Sequence, residues 1–149
     1  MHTGWLEQGE YRYYLTEGGT MAIGPTQIGD RTYYFTPKGI HVLLVNSSHM
    51  VPDDYDPELV ALSNGFLVEA SCKDALEQML ADCRAAGNYP TFNSSYRSVD
   101  EQRYLLNLRA SEYMAQGMSS AQAYAVTLQS VAVPGTSEHH LGLAVDLLG

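Results

Sequence analysis

The chain has 149 residues, 45% apolar and 17% charged, which suits one folded domain of ordinary size with a small appendage and excludes a disordered chain. Its formal charge of −9, with 8 Lys and Arg and no run of them, argues against nucleic acid or another polyanion as partner, because phosphate binding needs clustered cations. No stretch approaches the roughly 20 apolar residues that span a bilayer, and His2 to Leu6 has neither the basic start nor the apolar core of a signal peptide.

Residues 1–40 are rich in Gly and Tyr and nearly repeat. Gly4-Trp5 leads to Tyr13-Tyr14-Leu15 and Gly18-Gly19-Thr20-Met21; a second copy runs from Gly24 through Ile28-Gly29-Asp30 to Tyr33-Tyr34-Phe35 and Gly39. A period near 20 with paired aromatics between glycines predicts short β-hairpins, each leaning on its neighbours to bury an aromatic face. The pattern resembles choline-binding or glucan-binding cell-wall repeats, whose aromatics cage a cation. Arg12 and Thr32 stand where the first aromatic of each run belongs, and Pro25 replaces the second Trp. The repeats therefore read as structural padding, with cell-wall polymer as the partner the resemblance implies.

From His41 the chain reads as one α+β domain, residues 41–149. His41 to Val45 is a short apolar strand, and Asn46 to Pro57 is loop by its Pro and Asp content. Cys72, Ala75, Leu76, Met79, Leu80 and Cys83 form a helical stripe over about Cys72 to Ala86, with Ser71 and Asp74 as a capping box. Along that helix the two cysteines lie roughly 16 Å apart. A disulfide needs Cα atoms within about 7 Å, so they do not pair and read as small core residues. Pro90 to Ser95 is a strand. A second helix follows Ser98, capped with Glu101, and a third opens at Ser119 with Gln122. Leu143 to Leu148 reads as a buried strand, and the absence of βαβ rhythm favours α+β over a doubly wound sheet.

The chemistry concentrates in Pro134-Gly135-Thr136-Ser137-Glu138-His139-His140-Leu141-Gly142-Leu143-Ala144-Val145-Asp146. His139 and Asp146 are nitrogen and oxygen donors of the kind zinc accepts. A buried Asp after Leu-Ala-Val needs a counter-charge, and a metal supplies one. The alternative is a metal-free core in which the two form an ion pair.

Ser137-x-His139-x-x-Gly142-x-Ala144-x-Asp146 resembles the zinc signature of the D-alanyl-D-alanine carboxypeptidases of the vancomycin-resistance type, a family that includes LD-carboxypeptidases and related peptidoglycan peptidases. Ser94-Ser95-Tyr96-Arg97-Ser98 with Gln102 matches a second element of that family, about forty residues upstream. The resemblance covers residues 41–149, including the lead-in from Leu44 to Pro57. It implies a D,D-peptidase/hedgehog-like α+β fold with a small antiparallel sheet and flanking helices. It further implies Zn2+ held by His139 and Asp146, Arg97 on a carboxylate or developing oxyanion, Ser137 and Gln102 on the terminal residue of a peptidoglycan stem peptide, and Tyr96 lining the pocket.

A hydrolytic zinc also needs a third ligand and a general base. In the family a Glu-x-x-His or Glu-x-His element after the Asp ligand supplies both, whereas this sequence ends at Gly149, three residues past Asp146. The expectation is a C-terminally incomplete domain, inactive as it stands, whose unfinished sheet edge favours self-association. Glu138 and His140 flank His139 on what reads as extended chain and so point away from it. His49 lies in a loop, and His2 and His41 read as surface or hairpin residues. A non-catalytic wall-binding module is the alternative function. The implied location is extracellular, at the cell wall, the export segment being outside this chain.

Overall fold

The computed structural model describes residues 2–9 and 11–149. The chain divides into two compact units, Met1–Leu44 and Val45–Gly149.

In the first unit β1 (Gly4–Gln8) pairs antiparallel with β2 (Tyr11–Leu15), and β3 (Gly24–Ile28) with β4 (Arg31–Phe35). The registers match: Gly4 faces Leu15 and Gly24 faces Phe35, so the near-repeat in sequence is a repeat in structure. Gly29, at φ +62°, takes the first position of a two-residue turn, where a II′ geometry calls for glycine. Trp5 is the hub of the unit. Its ring meets Tyr14, Tyr33 and His41 edge-on at centroid distances of 5.2, 5.0 and 5.3 Å, and Phe35 at 5.9 Å. Such aromatic pairs add about 0.5–1.5 kcal/mol each beyond area burial. The Arg12 guanidinium lies 4.0 Å over the Trp5 ring, which places the chain's own cation on the tryptophan face.

The boundary read between residues 40 and 41 falls later. β5 (His41–Val42) pairs with β4, and the His41 ring packs on Trp5, Tyr33 and Phe35, which draws this strand into the hairpin unit; Leu43 to Val45 forms no strand.

The second unit begins with a loop and a hairpin, β6 (Leu59–Ala61) with β7 (Leu67–Glu69). A 3-10 turn, Ala70–Cys72, leads into α1 (Lys73–Ala85). β8 (Thr91–Ser94), α2 (Val99–Ala115) and α3 (Ser120–Thr127) follow, then a 3-10 turn, Glu138–Leu141, and β9 (Asp146–Leu148), antiparallel to β8. Small antiparallel sheets with three helices make this the α+β class expected.

Local chemistry explains where the elements differ from the expectation. The Glu69 carboxylate accepts the Ser71 N–H at 2.9 Å, which winds Ala70–Cys72 into the 3-10 turn. The Ser71–Asp74 capping box therefore does not form, and α1 starts one residue later. Its apolar stripe is only partly covered: Leu80 is buried, both cysteines are half-buried and free, and Met79 is exposed. The capping boxes of Ser98 with Glu101 and Ser119 with Gln122 both form. Ala110 and Ala123 are fully buried; their small side chains let α2 and α3 approach closely. The buried strand expected over Leu143 to Leu148 shrinks to Asp146–Leu148 with Leu143 exposed, because Gly142 ends the preceding turn in the left-handed region at φ +71°.

Candidate active site

The site rests on two segments far apart in sequence. The Ser137 side chain caps the 3-10 turn by accepting the His139 N–H, and β8 places Ser94 opposite Asp146. Hydrogen bonds tie the turn to the strand's end: His139 Nδ1 donates to the Ser95 carbonyl at 2.7 Å, and the Arg97 N–H donates to the His139 carbonyl at 3.2 Å. Gly142 allows the turn to pack there. A Cβ on it would lie 2.9 Å from the Glu69 backbone nitrogen, and the Glu69 N–H bonds the Gly142 carbonyl at 2.9 Å.

With Nδ1 engaged, His139 presents Nε2, which lies 3.3 Å from Asp146 Oδ2. Metal–donor bonds of about 2.0–2.2 Å separate neighbouring donors of a tetrahedral zinc by roughly 3.3–3.5 Å, so the pair fits one edge of such a site. The Nδ1–carbonyl bond is the outer-shell support that orients a metal-binding imidazole. The Asp146 side chain is 53% exposed, which corrects the expectation of a buried carboxylate in want of a counter-charge; distance and orientation carry the argument instead. Among the described residues no third His, Cys, Asp or Glu joins the pair.

His139 and Asp146 line a cavity of about 450 Å³ together with Arg97, Gln102, Ser137 and Glu138. The Arg97 guanidinium is held from behind, Nη1 donating to Gln102 Oε1 at 2.8 Å and Nη2 to Ser94 Oγ. Gln102 is 1% exposed and its amide nitrogen donates to the Ala132 carbonyl at 2.8 Å. Its amide oxygen braces Arg97 and its amide nitrogen is tied to Ala132, while the residue also lines the cavity. Ser137 is buried at the cavity wall.

Tyr96 departs from expectation: it lines a second cavity of about 300 Å³ with Tyr55, Pro52 and His140, not the one holding His139 and Asp146. Neighbouring residues of an extended segment face opposite ways, which sends Arg97 and Tyr96 to different cavities. Burial raises the Tyr96 phenol, helped by Glu101 and Asp56, and burial raises Tyr55, helped by Glu69 and Tyr96. Tyr55 stays protonated and donates to the Leu141 carbonyl at 3.0 Å. Glu138 is also corrected: its segment is a 3-10 turn rather than extended chain, and it reaches the first cavity. His49 Nδ1 bonds its own loop at Asn46 Oδ1, and His2 and His41 lie in the hairpin unit.

An arginine, a metal-spaced His–Asp pair and a capped turn around one cavity describe a peptidase-type site. Residues 65–149 match the family model VanY, D-alanyl-D-alanine carboxypeptidase, and the chain belongs to that family. It is 43% identical over 106 residues to a D-alanyl-D-alanine carboxypeptidase of Enterococcus faecalis, covering 71% of this chain and 40% of that protein. The chain spans about two fifths of the length of the curated relatives it matches. Among solved structures it resembles VanYB in complex with D-alanine-D-alanine, at TM-score 0.67 and 44% identity, covering 70% of this chain and 58% of that one. It also resembles a mutant of the D,D-pentapeptidase VanY from a VanB-type resistance cassette in complex with Zn(II), at TM-score 0.66 and 44% identity, covering 70% and 59%.

Proposed function

We propose that the second unit is the substrate-gripping part of a zinc-dependent carboxypeptidase that acts on the D-alanyl-D-alanine end of peptidoglycan stem peptides, at the extracellular cell wall. The observation that carries this reading is the His139 Nε2–Asp146 Oδ2 separation of 3.3 Å in the cavity that Arg97 also enters. His139 and Asp146 would hold the ion. Zinc when bound supplies a Lewis acid and lowers the pKa of bound water to about 7. Arg97, fixed by Gln102 and Ser94, presents its remaining donors to the peptide's terminal carboxylate or to charge developing on the scissile carbonyl oxygen. Ser137 shapes the wall beside them, and the buried Gln102 brace keeps the guanidinium from reorganising when substrate enters.

One observation favours a non-catalytic wall-binding module as second reading: the described residues bring no third ligand to the pair. The 149 residues alone are accordingly expected to bind the dipeptide end without cleaving it. Zinc titration, D-Ala-D-Ala binding with and without chelator, and D-alanine release from a pentapeptide separate the readings. Zinc-dependent binding supports the peptidase site, and D-alanine release shows that the chain completes it. Absence of zinc uptake overturns the metal assignment, and dipeptide binding indifferent to chelator favours the binding module. Self-association is proposed along the open sides of the two-stranded β8–β9 sheet; sedimentation giving a monomer at high concentration would overturn it.

A further inference from the structure

His140 is 3% exposed, and both of its ring nitrogens are engaged by backbone. Nε2 accepts the Gly135 N–H at 3.0 Å, and Nδ1 lies 2.6 Å from the Arg97 carbonyl oxygen. A backbone N–H can only donate, so Nε2 supplies the lone pair and Nδ1 carries the proton toward Arg97. The adjacent His139 uses only Nδ1 on backbone and leaves Nε2 directed at Asp146. Two neighbouring histidines thus divide the work: one open to the cavity, one closed on the scaffold.

The closed ring joins three segments. Gly135, whose N–H it takes, accepts the Val51 N–H at 2.8 Å through its own carbonyl. Arg97, whose carbonyl it holds, donates its N–H to the His139 carbonyl at 3.2 Å. The segment at Gly135, the segment after β8 at Arg97 and the turn carrying His139 therefore meet at one imidazole, and Val51 joins them through the Gly135 carbonyl. The guanidinium of Arg97 is braced by Gln102 and Ser94, but its backbone is pinned on the carbonyl side by His140.

We propose that His140 is a positioning residue for this pocket, holding the Arg97 backbone and the Gly135 turn so that the Arg97 guanidinium and the open nitrogen of His139 face one cavity. The inference rests on the proposed function for what the pocket holds, but not for the geometry. Removing the ring's polarity without its bulk would leave the part-buried Arg97 carbonyl and the buried Gly135 N–H without this partner, and the segments would shift to find others.

Three substitutions in the whole chain test this. His140→Phe keeps a ring and removes both bonds. His140→Asn places an amide N–H where Nδ1 stands, and His140→Gln places an amide oxygen nearer Nε2. Zinc and D-Ala-D-Ala affinities by calorimetry, the Arg97 side-chain NMR signals and the melting temperature are measured for each. His140→Phe is expected to weaken both affinities about tenfold, the scale of lost outer-shell partners, and to broaden the Arg97 signals. His140→Asn, which restores the bond to the Arg97 carbonyl, is expected to recover most of the loss, and His140→Gln, which restores only an acceptor toward the Gly135 N–H, to recover less at a similar melting temperature. Parental affinities and Arg97 signals in a folded His140→Phe, or His140→Asn no better than His140→Gln, would overturn the proposal. If the parent binds neither zinc nor dipeptide, the functional reading fails, and the Arg97 signals across the three variants still decide the role of His140.

Discussion

The hairpin unit and the second unit are stabilised in opposite ways. In the first, neighbouring strands pair through short turns, and one tryptophan gathers Tyr14, Tyr33, Phe35 and His41 around it. In the second, the key contacts are polar and long-range: Ser95 with His139, Arg97 with His140, Gln102 with Ala132. Apolar burial is non-directional and ring contacts tolerate small shifts, whereas a hydrogen-bonded frame fixes where a side chain points. A site that must aim a guanidinium and an imidazole at one cavity needs the second kind of support. In the first unit a tryptophan–cation contact falls on Arg12, the unit's own residue.

The sharpest way to break this contrast is Arg97→Ala. It removes the charge from the cavity and leaves buried Gln102 Oε1 without its donor. Hydrogen bonds to charged groups are worth about 1.5–3 kcal/mol, so D-Ala-D-Ala binding should weaken about 100-fold by calorimetry, with zinc uptake retained. Unchanged dipeptide affinity would remove Arg97 from the substrate's path. Trp5→Ala is the counterpart in the hairpin unit. Deleting a half-buried hub should cost about 2–3 kcal/mol there, below the range for fully buried aromatics. Calorimetric melting should show a lower transition for that unit, and dipeptide binding should hold. Loss of dipeptide binding would mean that the two units are not independent.

Much of this is legible in the sequence. The hairpins followed from aromatic pairs at a fixed period, and α2 and α3 from Ser-x-x-Glu and Ser-x-x-Gln at their starts. His139 and Asp146, weak as a pair, became a site once Ser137, Gly142 and Arg97 stood beside them. Other features depended on tertiary context. The β6–β7 hairpin, absent from the elements expected above, does carry a local signal, Asn64-Gly65 between short apolar runs, with Gly65 at φ +84°. Gln102 is a brace because of Ala132, thirty residues away, and no local pattern announces that. Asp146 is exposed although Leu-Ala-Val precedes it, since apolar neighbours in sequence do not bury a side chain at the end of a two-stranded sheet.

Gly142→Ala tests how tightly the second unit's frame is set. The left-handed φ costs a non-glycine residue about 1–2 kcal/mol, and the Cβ would meet backbone rather than a side chain that can move aside. Melting of the second unit should fall accordingly, and zinc affinity should drop because the turn carrying His139 shifts. A parental melting curve would show that the turn has room that the geometry denies.

The smallest effects lie in pH, and they separate the units by where stability fades. Burial, and then Arg12, lowers the His41 pKa below its ordinary 6.5. The unfolded chain therefore binds a proton there more readily than the folded one, so hairpin stability is full above that value and declines as pH falls through it. Glu101 shows the carboxylate case. Hydrogen bonds from the Ser98 backbone and hydroxyl, with Arg97 nearby, lower its pKa below the ordinary 4.5 despite some opposing burial. Its contribution to the α2 cap is present above that value and is lost as pH falls through the lowered one. Between pH 7.5 and 5.5 the hairpin transition should therefore move down while the cap is still intact, and Ser98→Ala should lower the second unit's melting equally at both pH values. His41→Phe, which keeps the ring in the Trp5 cluster and removes the proton site, should flatten the hairpin's pH dependence. If the slope persists in that variant, another group titrates in the hairpin unit and His41 is only part of its packing.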